Sequence, residues 1–303
     1  MNLERRVAAV FAGSLLVSSY ISYLQLEEEY TRRVGLKGTS LMLDPVGRAI
    51  EYDFHQGTLN DESPVLVLEN GLGAPLEAWD WVNHVLGGGF RILRYHRSGY
   101  WRTKSTLRPA ILLESLLTRL APSGRVIYCG HSMGGLVLAN ALAESSYLRS
   151  RVEAAHIVDG TDAVLLEDDR TSKRRVSRYN QDVARRLLGA VTGTSRWLTS
   201  PAEREMEYRP DVQRACLASL SSPQLLLTAR REYLGEPTAG QTFLADLAVH
   251  RTVIAAGNNV EQQRELAGRL GAKFYSIDSS SHRSIIGKLP FAEQVSSIIR
   301  ESP

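Results

Sequence analysis

The sequence predicts an α/β protein, with a mostly parallel sheet covered by helices on both faces. Three observations predict it. Short continuous apolar runs such as Pro64–Leu68 read as strands buried on both faces. Segments with apolar residues at three-to-four spacing, such as Ala110–Leu120, read as helices. The two kinds alternate along most of the chain, the order that builds a parallel sheet.

Taken in order, Ser40–Leu43 and Ala49–Phe54 read as two strands joined through Asp44-Pro45-Val46-Gly47. That stretch is a turn signal, because Pro fixes φ and Gly tolerates positive φ. Thr58–Ser63 is a polar loop before the Pro64–Leu68 run. Then follow a helix over Leu76–Leu86, a strand over Phe90–Tyr95, a helix over Ala110–Leu120 and a strand over Arg125–Cys129. A helix over Met133–Leu148 and a strand over Val152–Val158 continue the pattern. From Thr161 to about Thr238 it lapses into an Arg- and Leu-rich stretch of helical character, which reads as an insertion. Strand Arg251–Ala256, a helix from about Glu261 to Leu270, strand Lys273–Ile277 and a last helix over Phe291–Arg300 resume it.

Composition sets the bounds. The chain has 303 residues, 43% of them hydrophobic and 23% charged, as in ordinary globular proteins. A net charge of only +3 argues against a nucleic-acid partner. Cys129 and Cys216 form no CxxC pair and no metal-ligand spacing, and read as reduced, buried thiols.

The N-terminus divides from the rest. Residues 1–37 read as an apolar segment with a charged linker, and 38–303 as the α/β domain. Val7–Leu24 carries no charge and lies between Arg5-Arg6 and Glu27-Glu28-Glu29. Eighteen uncharged residues sit at the short end of what spans a bilayer. The flanking charges favour an uncleaved membrane anchor over a signal peptide or a buried helix. A membrane-anchored protein is therefore expected, with a cytoplasmic one as the alternative; Arg5 and Arg6 before the segment balance Arg32, Arg33 and Lys37 after it and leave the orientation open.

The chemistry concentrates at Gly130-His131-Ser132-Met133-Gly134-Gly135. This is G-x-S-x-G between a strand and a helix, the setting of a nucleophile elbow. A sharp turn there strains Ser132 and needs small flanking residues so that the helix can approach the sheet. The following helix N-terminus favours developing negative charge. His131, inside the elbow, is expected to point away from Ser132.

On these residues the chain resembles the α/β-hydrolase superfamily from about Ser40 to Ser302, and more narrowly its bacterial members with an N-terminal apolar segment. The resemblance implies the α/β-hydrolase fold with an inserted helical lid at about 161–238. It implies a serine hydrolase acting on an ester through an acyl-enzyme, a small-molecule acyl substrate and no cofactor. Asn70-Gly71-Leu72-Gly73 follows the Pro64–Leu68 strand where the family usually has His-Gly. The N–H groups of Leu72 and Met133 are then the expected oxyanion donors. His282, after the last strand, stands where the Ser…Asp/Glu…His order puts the base.

The acid is less determined. After Arg251–Ala256 come Gly257, Asn258 and Asn259, with no carboxylate. Some superfamily members carry the acid one strand earlier, which selects Asp159, with Asp162, Glu261 and Asp278 as alternatives. His96-Arg97-Ser98-Gly99-Tyr100 stands where the family often has Asp-Arg-x-Gly and reads as a structural turn without chemistry. Arg170, Lys173, Arg174, Arg175, Arg178, Arg185 and Arg186 read as a solvated helix face, with contact to anionic lipid as the sharper alternative. No P-loop, no dinucleotide-binding G-x-G-x-x-G and no H-E-x-x-H occurs. The rival reading is a non-catalytic member of the fold that binds a small ligand or a protein.

Overall fold

A computed structural model describes residues 10–21, 24–25, 39–57, 59–191, 205–210, 212–213, 216 and 222–301. Eight strands form one sheet in the order β1-β2-β4-β3-β5-β6-β7-β8. They are β1 Ser40–Leu43, β2 Ala49–His55, β3 Val65–Glu69, β4 Arg91–Tyr95, β5 Val126–His131, β6 Val152–Val158, β7 His250–Ala256 and β8 Lys273–Ile277. β2 pairs antiparallel with β1 and β4, and every other pairing is parallel. This is the α/β-hydrolase fold.

Alternation along the inner strands explains the double covering. Val65 and Val67 face one side and Leu66 and Leu68 the other, and all four are fully buried. The first face packs against α2 (Pro109–Leu120), α3 (Met133–Glu144) and α9 (Val260–Leu270). The second packs against a 3₁₀ turn at Leu76–Trp79, α1 (Asp80–Leu86), α10 (Ser284–Gly287) and α11 (Leu289–Arg300). Cys129 and Cys216 are both buried.

Several boundaries differ from the sequence reading, each for a local reason. The expected Met133–Leu148 helix breaks at Ser145, whose backbone is extended and whose hydroxyl caps the Leu148 N–H. The result is α3 followed by a separate α4 (Ser146–Arg151). The expected Leu76–Leu86 helix opens with its 3₁₀ turn, which follows an extended Pro75. Between β6 and β7 lie α5 (Ala163–Thr171), α6 (Lys173–Val191), α7 (Pro223–Gly235) and α8 (Gly240–Asp246).

The membrane segment is corrected. Of Val7–Leu24, residues 10–21 form a helix, residue 24 is also helical, and 7–9 and 22–23 lie outside the described residues. Among the described residues no helix is long and apolar enough to cross a membrane. Ser14, Ser18 and Ser19 lower the apolarity of the helix over 10–21. The expected linker at 27–37 lies outside the described residues.

Candidate active site

The sheet reverses direction of growth at β3, with β4 on one side and β5 on the other. Ligands in open α/β sheets collect beyond the strand carboxyl ends at such a switch point. The loop after β3 carries Gly71 and Leu72, and the turn after β5 carries Ser132.

Ser132 has φ 55° and ψ −125°, a conformation that L residues rarely adopt, and directly precedes α3. Its backbone is pinned on both sides. The N–H donates to Val158 O at 3.0 Å, and the carbonyl accepts from Gly135 at 3.1 Å and Thr161 at 3.0 Å. Close packing explains the glycines. A Cβ on Gly130 would lie 2.6 Å from the Gly134 carbonyl carbon, and one on Gly134 would lie 2.5 Å from Glu69 O. Both contacts are with backbone, so no side chain can yield.

His282 lies between β8 and α10, half-exposed. Its Nδ1 lies 2.5 Å from Asp159 Oδ2. Asp159 follows β6 with φ 43° and is buried. Its other oxygen accepts from the Ala256 N–H at 3.0 Å and from Asn259 Nδ2 at 3.3 Å. Burial by itself would raise this carboxyl. The His282 hydrogen bond and charge, with the Ala256 N–H, outweigh it and hold the group below its ordinary range.

The alternative acids stand elsewhere. Asp162 caps α5 by accepting from the Val164 N–H and pairs with Arg269. Glu261 and Asp278 are exposed. The place after β7 where an acid was sought is taken by Asn259, which supports Asp159 instead.

His131 does not face away from Ser132. Its ring lines the same cavity, 4.7 Å from the His282 ring, and its Nε2–H donates to the His282 carbonyl at 2.6 Å. The close Gly71 backbone makes room for the ring, since a Cβ there would lie 3.1 Å from His131 Nδ1. Burial first, and the His282 charge second, push its pKa down to about 3. A neutral ring can therefore anchor the His282 loop without adding charge.

Two cavities meet at Ser132, Leu72 and His282. The larger, about 360 Å³, is lined mainly by apolar residues including Ala74, Val183, Leu225 and Ile286, with exposed Arg186 and half-buried Arg283 also on its wall. The second, about 270 Å³, is lined by Met133, Thr161, Asp169, Tyr233 and Gln262 among others. Helices α6 and α7 wall the first cavity through Val183 and Leu225. Neither the Leu72 nor the Met133 N–H donates to a backbone carbonyl among the described residues. Among those residues, no group of His, Cys, Asp and Glu could hold a metal ion.

Arg97, which the sequence reading treated as part of a plain turn, is buried beneath this site. It contacts Glu69, Asn70 and Gly71 from below and Glu232 of α7 from the side. Only the Arg at that turn position hinted at it, since its partners are far away in sequence.

Known proteins agree on the fold. Residues 65–293 match the model of the alpha/beta hydrolase family. The chain is similar to a thermophilic esterase from Thermogutta terrifontis, at 19% identity and TM-score 0.63 over 87% of this chain and 97% of that one. It is similar to the enol-lactonase from Burkholderia xenovorans, at 22% identity and TM-score 0.60 over 86% of this chain and all of that one. A carboxylesterase from Bacillus subtilis gives 15% identity and TM-score 0.59 over 92% and 98%. No curated protein matches the sequence. With the matched family model spanning most of the sheet, the elbow and His282, the chain belongs to the alpha/beta hydrolase family.

Proposed function

We propose that this protein is a carboxylic-ester hydrolase working through an acyl-enzyme on Ser132. One observation carries the reading: the 2.5 Å contact of His282 Nδ1 with a buried carboxylate, on a histidine that shares a cavity with the strained Ser132. One fold hosts many reactions, so the site and not the fold bears the argument.

Asp159 accepts the Nδ1–H of His282, which fixes the tautomer and leaves Nε2 free to accept a proton. Nε2 takes the Ser132 proton as Oγ attacks the ester carbonyl. The carbonyl electron pair moves onto oxygen, where the Leu72 and Met133 N–H groups receive it. Collapse expels the alcohol, which takes the proton from His282. Water then repeats the sequence and releases the acid.

The two cavities divide the substrate. The apolar one takes the acyl group, with the α5–α8 insertion as its lid. The second, with polar Thr161, Asp169 and Gln262 on its walls, takes the alcohol and afterwards the water. A volume of about 360 Å³ is near the lower end of small-molecule sites, which are roughly 300–1,000 Å³. Short to medium acyl chains are therefore favoured over long ones.

A p-nitrophenyl ester series from acetate to palmitate tests this, with Ser132→Ala and His282→Ala beside the parent. The expected outcome is turnover with a short- to medium-chain optimum, lost in both variants. No turnover at any length, with no fluorophosphonate labelling of Ser132, would favour a binding member of the fold.

A further inference from the structure

The structure assigns Arg97 as the positioning residue of the oxyanion-hole peptide, held in that place by Glu232 of lid helix α7. This rests on the ester-hydrolase reading and deepens it.

Arg97 follows β4 and is 4% exposed. Its approach is fixed by its neighbours: His96 hydrogen-bonds Glu51 at 2.8 Å and stacks on Trp101 with centroids 4.3 Å apart. One side of the guanidinium serves the oxyanion loop. Nη1 donates to Glu69 Oε1 at 2.5 Å and to the Asn70 carbonyl at 2.6 Å, and Nη2 donates to the Gly71 carbonyl at 3.4 Å. The other side grips Glu232 in a two-point fork, Nε to Oε1 at 2.5 Å and Nη2 to Oε2 at 2.9 Å. The Tyr100 hydroxyl donates to the same Glu232 oxygen at 2.5 Å.

The Gly71 carbonyl and the Leu72 N–H belong to one peptide unit, and that unit is planar. Whatever holds the oxygen therefore aims the N–H. A cation at the oxygen also polarises the unit in the direction that favours donation at the other end. The peptide sits hard against the nucleophile, since a Cβ on Gly71 would lie 3.2 Å from Ser132 Cβ. Without Glu232, Arg97 would keep Glu69 and lose the fork that sets the plane of its guanidinium. The lid then does more than wall the cavity: its seat on Arg97 sets the aim of an oxyanion donor. A Lys at this position supplies charge without the planar fork.

Glu232→Gln and Arg97→Lys in the full chain test this, with Arg108→Ala, which breaks an exposed pair with Glu144, as control. Active sites are titrated with a fluorophosphonate, so that rates are read per competent Ser132. kcat and KM are measured on p-nitrophenyl butyrate, and Ki for a trifluoromethyl ketone. Ser132 Oγ adds to that ketone's carbonyl carbon, its proton passes to His282 and the carbonyl pair becomes an oxyanion with no leaving group. Deleting an oxyanion donor costs roughly 10²–10³ in kcat, so misaiming one is expected to cost roughly 10–100-fold. KM should stay within about twofold while the ketone Ki weakens by the same factor as kcat. The control should match the parent. An unchanged kcat per titrated site overturns the inference, as does a fallen kcat with an unchanged ketone Ki. If Arg97→Lys does not fold, Glu232→Gln and the milder Tyr100→Phe decide it. A parent that hydrolyses no ester removes the underlying reading; an active parent with an unaltered Glu232→Gln overturns this inference alone.

Discussion

Asp159 does two jobs with one carboxylate. One oxygen faces His282 and the other is held by the Ala256 N–H and Asn259. Its pKa is held below the ordinary 3.8, so it is ionised wherever His282 can act as a base. Asp159→Asn keeps size and tolerates the positive φ, but can place an amide NH₂ where an acceptor is needed. The expected loss in kcat is roughly 10³–10⁴-fold. Asp162→Ala removes a helix cap and an ion pair, so it should cost about 1 kcal/mol of stability and leave kcat within a few-fold. Ester kinetics and thermal melts on the two variants check this, and the reverse pattern would move the acid to Asp162. The sequence offered both aspartates because order along the chain is all that a motif fixes. Which one turns toward His282 depends on φ at Asp159 and on Asn259 behind it, and both are tertiary facts.

At the scale of elements, the meeting of α3 with the sheet depends on glycines that have no room for a methyl group. Gly134→Ala would force a Cβ against the Glu69 and Asn70 carbonyls, 2.5 and 2.7 Å away. The helix must then move off β3, which displaces the elbow and the oxyanion loop together. The expected result is a large fall in Tm with loss of activity. Gly268 in α9 is the contrast, because nothing lies within 4 Å of its Cβ position. Gly268→Ala should stabilise by roughly 0.5–1 kcal/mol and leave kcat unchanged. Denaturant titration of both variants decides, and equal behaviour would count against close packing as the cause. These glycines were legible because G-x-S-x-G is a local pattern. The inner strands were legible because runs such as Val65–Leu68 are apolar on both faces. The Ser145 break was not, since Ser is an ordinary helix residue until its hydroxyl finds the Leu148 N–H. The Arg97–Glu232 fork was not either, because a pair joining a turn to a distant helix leaves no periodic trace.

For the whole molecule, two buried histidines make folding sensitive to acid. His131 and His156 each have their pKa pushed down to about 3, by burial first and then by the charge of a neighbouring histidine. In the unfolded chain a histidine titrates near 6.5. Between these values the unfolded state binds the proton and the folded state does not. Stability therefore falls as pH drops through this window, by about 1.4 kcal/mol per pH unit for each histidine. Glu236 opposes this over part of the range. Burial raises it to about 6 from 4.5, so between those values the folded state holds the extra proton and lowering the pH adds stability. Asp159 acts only below 3.8, because its folded value is the lower one. Burial also raises the Glu69 and Asp80 carboxyls, which oppose the histidines in the same direction as Glu236. His156 is the residue to change, since it sits on β6 paired to Cys129 while His131 touches the active site. Urea unfolding of the parent and His156→Leu at pH 7, 6, 5 and 4 separates the contributions. The parent is expected to lose about one proton's worth more stability per pH unit than the variant below pH 6. Parallel lines would mean that His156 carries its proton in the folded state, and would place the acid sensitivity elsewhere in the core.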